Sequence, residues 1–148
     1  MRAVVQRVER AAVIVDGRTV GCCGPGLLVL LGVHRDDEPS QARKMADRIA
    51  GMRVFPDADG RMNLTLASLP DDGLPRVLAI PNFTVHGDSS QRRPSFTGSA
   101  GFAKGRELFG LFVEELRALG VPTDTGEFGA HMHIELVADG PVTLVVDL

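Results

Sequence analysis

Apolar and polar positions alternate from residue 2 to residue 8, the period of a strand with one covered face. Ala11-Ala12-Val13-Ile14-Val15 reads as a second strand, Asp16-Gly17 predicts a hairpin turn, and Thr19-Val20-Gly21 supplies the return. Leu27 to Val33 is apolar without alternation, which predicts a central strand covered on both faces. Gly24-Pro25-Gly26 ahead of it is a turn and not a phosphate loop, because no Lys-Ser/Thr follows. After a polar loop ending in Ser40 as N-cap, Ala42, Met45, Ile49 and Met52 recur on one face of a helix. Pro56 to Gly60 is a turn cluster that lacks the downstream Glu of a calcium loop, and Met62 to Leu66 is a strand. Val77 to Ile80 is a further buried strand, running into Pro81-Asn82-Phe83-Thr84. Residues 87–101 form a loop of a length that is often functional in a compact domain. A second helix runs from Phe102 to Leu119, with Phe109, Phe112, Leu116 and Leu119 on one face and Gly120 as its stop. Last, His131 to Val137 and Val142 to Val146 pair across Asp139-Gly140-Pro141.

These elements make an α+β protein, a single domain over residues 1–148. Two main helices accompany mostly antiparallel or mixed sheets, mainly hairpin-connected, in a barrel-like or layered arrangement. Asp139-Gly140-Pro141 reads first as a tight turn between antiparallel strands. The sharper alternative makes the Gly140-Pro141 bond a rigid device aimed at a ligand, in the cis form that few X-Pro bonds adopt.

Composition narrows the function. At 44% apolar content over 148 residues, with no bilayer-spanning run and charges where a signal peptide would need apolar residues, a cytoplasmic protein without a membrane partner is expected. The net charge of −3 disfavours a protein that grips long stretches of nucleic acid by charge alone. Local clusters stay open to either reading, solvated surface or a few phosphate contacts: Arg92-Arg93 with Lys104 and Arg106, and Arg2, Arg7 and Arg10. Cys22 and Cys23 are neighbours, so no disulfide framework is implied.

Three constellations could carry chemistry. His131 and His133, two apart, would present both imidazoles on one strand face, but no third ligand accompanies them, and no metal is expected. Thr84, His86 and Asp88 offer a hydroxyl, a base and a carboxylate, spaced about 7 Å apart along a regular strand, too far for a direct relay. The third is main chain: the N–H groups of Phe83 and Thr84, where the strand ends, could form an oxyanion hole.

Six fragments in order resemble the D-aminoacyl-tRNA deacylase family. They are residues 1–8, residues 24–33, Met62-Asn63-Leu64, Arg93-Pro94-Ser95-Phe96, residues 125–132 and Asp139-Gly140-Pro141-Val142-Thr143. The resemblance implies a homodimer in which each subunit's Gly-cisPro segment enters its partner's active site. It implies hydrolysis of the ester joining a D-amino acid, or glycine, to the 3′ end of tRNA, without a cofactor. Phe83 and Thr84 would frame the ester, the RNA 2′-OH would assist, and the carbonyls of Gly140 and Pro141 would hold the amino group while excluding an L side chain. Phe96 and Met132 would line the adenosine or amino-acid pocket, Val142 and Thr143 complete the motif, and Arg7 would brace it. The sequence departs from the family where Pro81-Asn82 replaces the usual Ser-Gln, which removes one backbone donor and shortens one amide arm. Substrate contacts from Pro81 and Asn82 are therefore altered ones. A deacylase of relaxed chirality acting on small L-aminoacyl-tRNAs is the alternative, and a non-catalytic nucleic-acid-binding module is the alternative of another class.

Overall fold

The long strand β1 (Arg2–Val15) carries most of the pairing in the computed structural model, which describes residues 1–148. Nothing at the exposed Glu9-Arg10 pair breaks the backbone, so the two expected strands are one. Along one edge β1 pairs antiparallel with β3 (Gly26–Gly32) and then with β2 (Arg18–Cys23). The β1–β2 hairpin turns at Asp16 and Gly17, both at positive φ (49° and 75°), as a two-residue hairpin loop requires. Along its other edge β1 pairs with β8 (His133–Asp147).

Beyond β3 the sheet turns parallel. β6 (Val77–Pro81) lies parallel to β3, and β7 (Thr123–Thr125) lies parallel to β6. Parallel neighbours need crossovers. The first contains α1 (Pro39–Ala50) and the two-stranded pair β4 (Phe55–Pro56) and β5 (Met62–Leu64); the second contains α2 (Phe102–Ala118). The expectation of mainly hairpin connections is corrected here. β2 then approaches β7 so closely that a Cβ on Gly21 would stand 2.3 Å from the Thr125 carbonyl oxygen, and the sheet forms a nearly closed barrel.

Its two faces explain the unbroken apolar run. Leu27, Val29 and Leu31 face α1 and α2 in the larger core, with Met45, Ile49, Phe112 and Leu116. Leu28 faces the barrel interior with Val8, Val13, Leu78 and Ile80. Burial there also pushes the Cys23 thiol up to about 11. The helix faces fall as expected except at their ends. Glu38 replaces Ser40 as N-cap of α1: its N–H donates to Gln41 Oε1 at 2.9 Å, and Pro39 takes the first helical position. Met52 lies past that helix, and Leu119 past α2 is exposed. No helix is long and apolar enough to cross a membrane.

The largest correction concerns residues 139–143. They are not a hairpin turn, since both flanks pair with the same strand: Thr143 opposes Gln6, and Ala138 opposes Val8. Two steps along β1 face five along β8, so three surplus residues bulge from one continuous strand. The Gly140-Pro141 bond within the bulge is cis.

Candidate active site

The parallel strands β3, β6 and β7 end at one edge, where ladder hydrogen bonds stop and side chains and main chain are free to face a ligand. A cavity of about 660 Å³ opens there. Its walls are the ends of β3 and β6, the turn after β6, the first turns of α2, and residues 128–132 leading into β8. Most of the lining is apolar, and among its titratable groups only His131 appears.

After β6 the chain does not continue as a strand. Phe83–His86 is one 3-10 turn with Asn82 as its cap. Asn82 Oδ1 accepts from the Thr84 N–H at 3.0 Å and from the Thr84 hydroxyl at 2.5 Å. The Thr84 N–H is therefore engaged, while the Phe83 N–H, first in the turn, has no acceptor within it. Asn82 thus does locally what a capping residue does, and its own N–H donates to the Leu31 carbonyl at 2.8 Å. Pro81, which has no N–H, closes β6 opposite Leu31.

The turn also dismantles the hydroxyl, base and carboxylate set. Thr84 donates its proton to an amide oxygen, His86 Nε2 lies 3.1 Å from the Gly32 carbonyl, and Asp88 Oδ1 accepts from the Ser90 N–H. Burial holds the His86 imidazole below its ordinary pKa, against the raising effect of the Gly32 bond. The Ser90 N–H bond holds the Asp88 carboxyl below its usual range. His131 and His133 stand edge to face at 5.1 Å, and no group of three or more His, Cys, Asp or Glu is placed to hold a metal.

Of the residues singled out from sequence, Pro81, Asn82, Phe83, Thr84 and Met132 line this cavity. Phe96 stands behind it, packed edge to face on Phe83 at 5.4 Å. Phe102, Phe109 and Phe128 are wall residues to which the sequence reading gave no role in the site. The signal for Phe128 was its place between Gly126 and Gly129 just beyond a parallel strand.

Gly140, Pro141, Val142, Thr143 and Arg7 line none of the cavity of their own chain. Arg7 opposes Leu27, five residues from the end of β3, or roughly 17 Å along the strand. Gly140 and Pro141 are exposed, while Val142 packs on the larger core and roots the bulge. Gly140 has φ +126°, and a Cβ there would stand 2.6 Å from the Val142 nitrogen, so only glycine fits. Arg7 lies under the bulge. Its Nη1 donates to the Val54 carbonyl, and its Nε is 2.8 Å from Asp139 Oδ2, paired in charge but out of line for a hydrogen bond.

Comparison with known proteins bears on this arrangement. The model of the family described as D-Tyr-tRNA(Tyr) deacylase matches residues 4–147. A D-aminoacyl-tRNA deacylase of Deinococcus radiodurans is 51% identical over 149 aligned positions, covering 100% of both chains. A solved structure named c-Myc DNA unwinding element binding protein superposes with a TM-score of 0.90 at 30% identity, covering 100% of this chain and 99% of its own. A probable eukaryotic D-amino acid tRNA deacylase superposes with a TM-score of 0.80 at 15% identity, covering 99% of this chain and 98% of its own, a likeness of fold.

Proposed function

The chain belongs to the D-Tyr-tRNA(Tyr) deacylase family, and from that premise we propose that it hydrolyses the ester of D-aminoacyl-tRNA, and of glycyl-tRNA, in the cytoplasm. The observation that carries the reading is likeness to deacylases along the whole chain, including every element that walls the cavity. An aminoacyl ester is labile, so the protein's task is to position water, stabilise the tetrahedral oxyanion and refuse wrong substrates. That task suits a cavity without an activated nucleophile.

In this reading the Phe83 N–H faces the developing oxyanion. Thr84 serves through Asn82, which it holds, and the neighbouring 2′-OH of the RNA assists proton transfer. Phe83 and Phe96 offer aromatic faces to the terminal adenosine, with Met132 across the cavity. The chiral filter is Gly140-Pro141 of a second copy, since that segment is too far along the sheet to meet its own cavity. Backbone that cannot yield excludes a mirror-image side chain better than a mobile residue does. Arg7 and Val142 fix the segment from below. A homodimer would also cover β8, an edge strand whose Ile134, Leu136, Leu144 and Val145 are exposed.

The test follows release of D-Tyr and L-Tyr from charged tRNA, with a terminal 2′-deoxyadenosine control. D-Tyr should leave at least about a hundredfold faster, equivalent to about 2.7 kcal/mol between barriers, and the deoxy substrate should be cleaved slowly. Equal release of both enantiomers would remove the filter and favour the relaxed editing enzyme that Pro81-Asn82 suggests. Binding of uncharged RNA with no release of either would favour the non-catalytic module.

A further inference from the structure

The residues from Ser89 to Arg106 carry four basic side chains and no acidic one, in a chain whose Asp and Glu outnumber its Lys and Arg by 19 to 16. Lys104 is occupied, donating to the Arg35 carbonyl at 2.9 Å and standing 3.6 Å from Glu38. Arg92 and Arg93 are different. Both are exposed, and neither has a carboxylate partner, a condition shared with Arg106 of the same segment.

Their loop is built rather than loose. Asp88 and Ser95 exchange both backbone hydrogen bonds, at 2.8 and 2.9 Å, which closes the neck and displays residues 89–94 as a tip. At the neck the exposed Asp88 carboxylate accepts from the Ser90 N–H, and within the tip itself, residues 89–94, the only charges are those of the two arginines. Below the neck, Phe96 packs on Phe83, and Ser99 Oγ donates to the Phe83 carbonyl at 2.8 Å. The same residue that faces the proposed ester therefore anchors the arginine loop. Arg93 is three residues from Phe96, at most about 10 Å of chain, which keeps the loop within reach of RNA next to a base stacked on Phe96.

We propose that Arg92 and Arg93 clamp backbone phosphates of the substrate RNA just inward of its terminal adenosine, so that the enzyme prefers a charged tRNA to a charged nucleoside. The proposal rests on the deacylase reading above. Guanidinium groups suit this role, since their planar donors match phosphate oxygens in pairs. Two contacts add affinity without reading sequence, compatible with an enzyme that must accept many tRNAs. They also concentrate charge where a net acidic protein most needs it.

The experiment compares kcat/KM on D-tyrosyl-tRNA and on D-tyrosyl-adenosine, which has no backbone phosphate. For a protein carrying Arg92→Gln and Arg93→Gln, the ratio of the two should fall about tenfold through KM, and the log–log salt slope for tRNA should shallow by about 1.4. A control with Lys44→Gln and Arg48→Gln, the same charge change on α1, which lines none of the cavity, should leave the ratio unmoved. An unchanged ratio in the loop variant overturns the proposal while leaving the deacylase reading intact. So does an equal loss on both substrates, which would mean a collapsed site wall. A shift in oligomeric state with no change in ratio would assign the arginines to an acidic surface of a second copy instead. Cleavage of neither substrate by the unaltered protein would overturn the deacylase reading and this inference with it.

Discussion

β3 and β8 are both rich in Val and Leu, yet they live in opposite surroundings. Every residue of β3 but Leu30 is buried, between the helices on one side and the barrel interior on the other. In β8 only Val146 is buried, and Val145 is 63% exposed. The apolar content of a strand says that something must cover it and leaves unsaid whether the cover belongs to the same molecule. For β3 the cover follows within the chain. For β8 no element of the chain supplies it, and this exposure is what supports the second copy proposed above.

The contrast can be broken first where it is strongest. Leu28→Ala, at a site 1% exposed, should lower unfolding free energy by about 2–5 kcal/mol, whereas Leu136→Ala at 37% exposure should cost under about 1 kcal/mol in dilute protein. Denaturant melts of both variants at low concentration decide it, and equal losses would mean that β8 is covered by its own chain. Val145→Glu sharpens the contrast from the other side. Sedimentation should show association weakened about tenfold or more, deacylation should fall with it, and the denaturation midpoint of the dilute protein should barely move. The smallest effect is at the end of β3, where His86 lies against the Gly32 carbonyl. Because burial lowers its folded pKa, the unfolded chain takes the proton first. The stability it contributes is whole above about pH 6.5 and drains as pH falls below that. His86→Gln should flatten this part of the curve, read as melting temperature against pH.

Much of this was legible along the chain because it is locally written. The unbroken run at Leu27 to Val33, the Asp16-Gly17 turn and the apolar faces of both helices depend on neighbours a few residues away. Two features were not. Asp139-Gly140-Pro141 has the chemistry of a hairpin turn, and it becomes a bulge only because both its flanks find β1, about 130 residues earlier. The end of β6 near Phe83 and Thr84 was expected, but its form, a 3-10 turn capped by Asn82, was not. In the candidate site, Phe83, Thr84 and Met132 were singled out and do share a cavity. Phe102 and Phe109 were assigned only to a helix, since which side of its first turns meets the sheet edge is settled by packing and not by period.

The three surplus residues of β8 have a consequence for how this protein can change. Cutting them out would let β1 and β8 pair in register between Gln6 and Val8, leaving only the smaller shift between Val8 and Arg10. If the bulge is the chiral filter proposed above, sturdiness and discernment pull in opposite directions at this spot, and selection for stability alone would favour a smoother edge at the expense of selectivity.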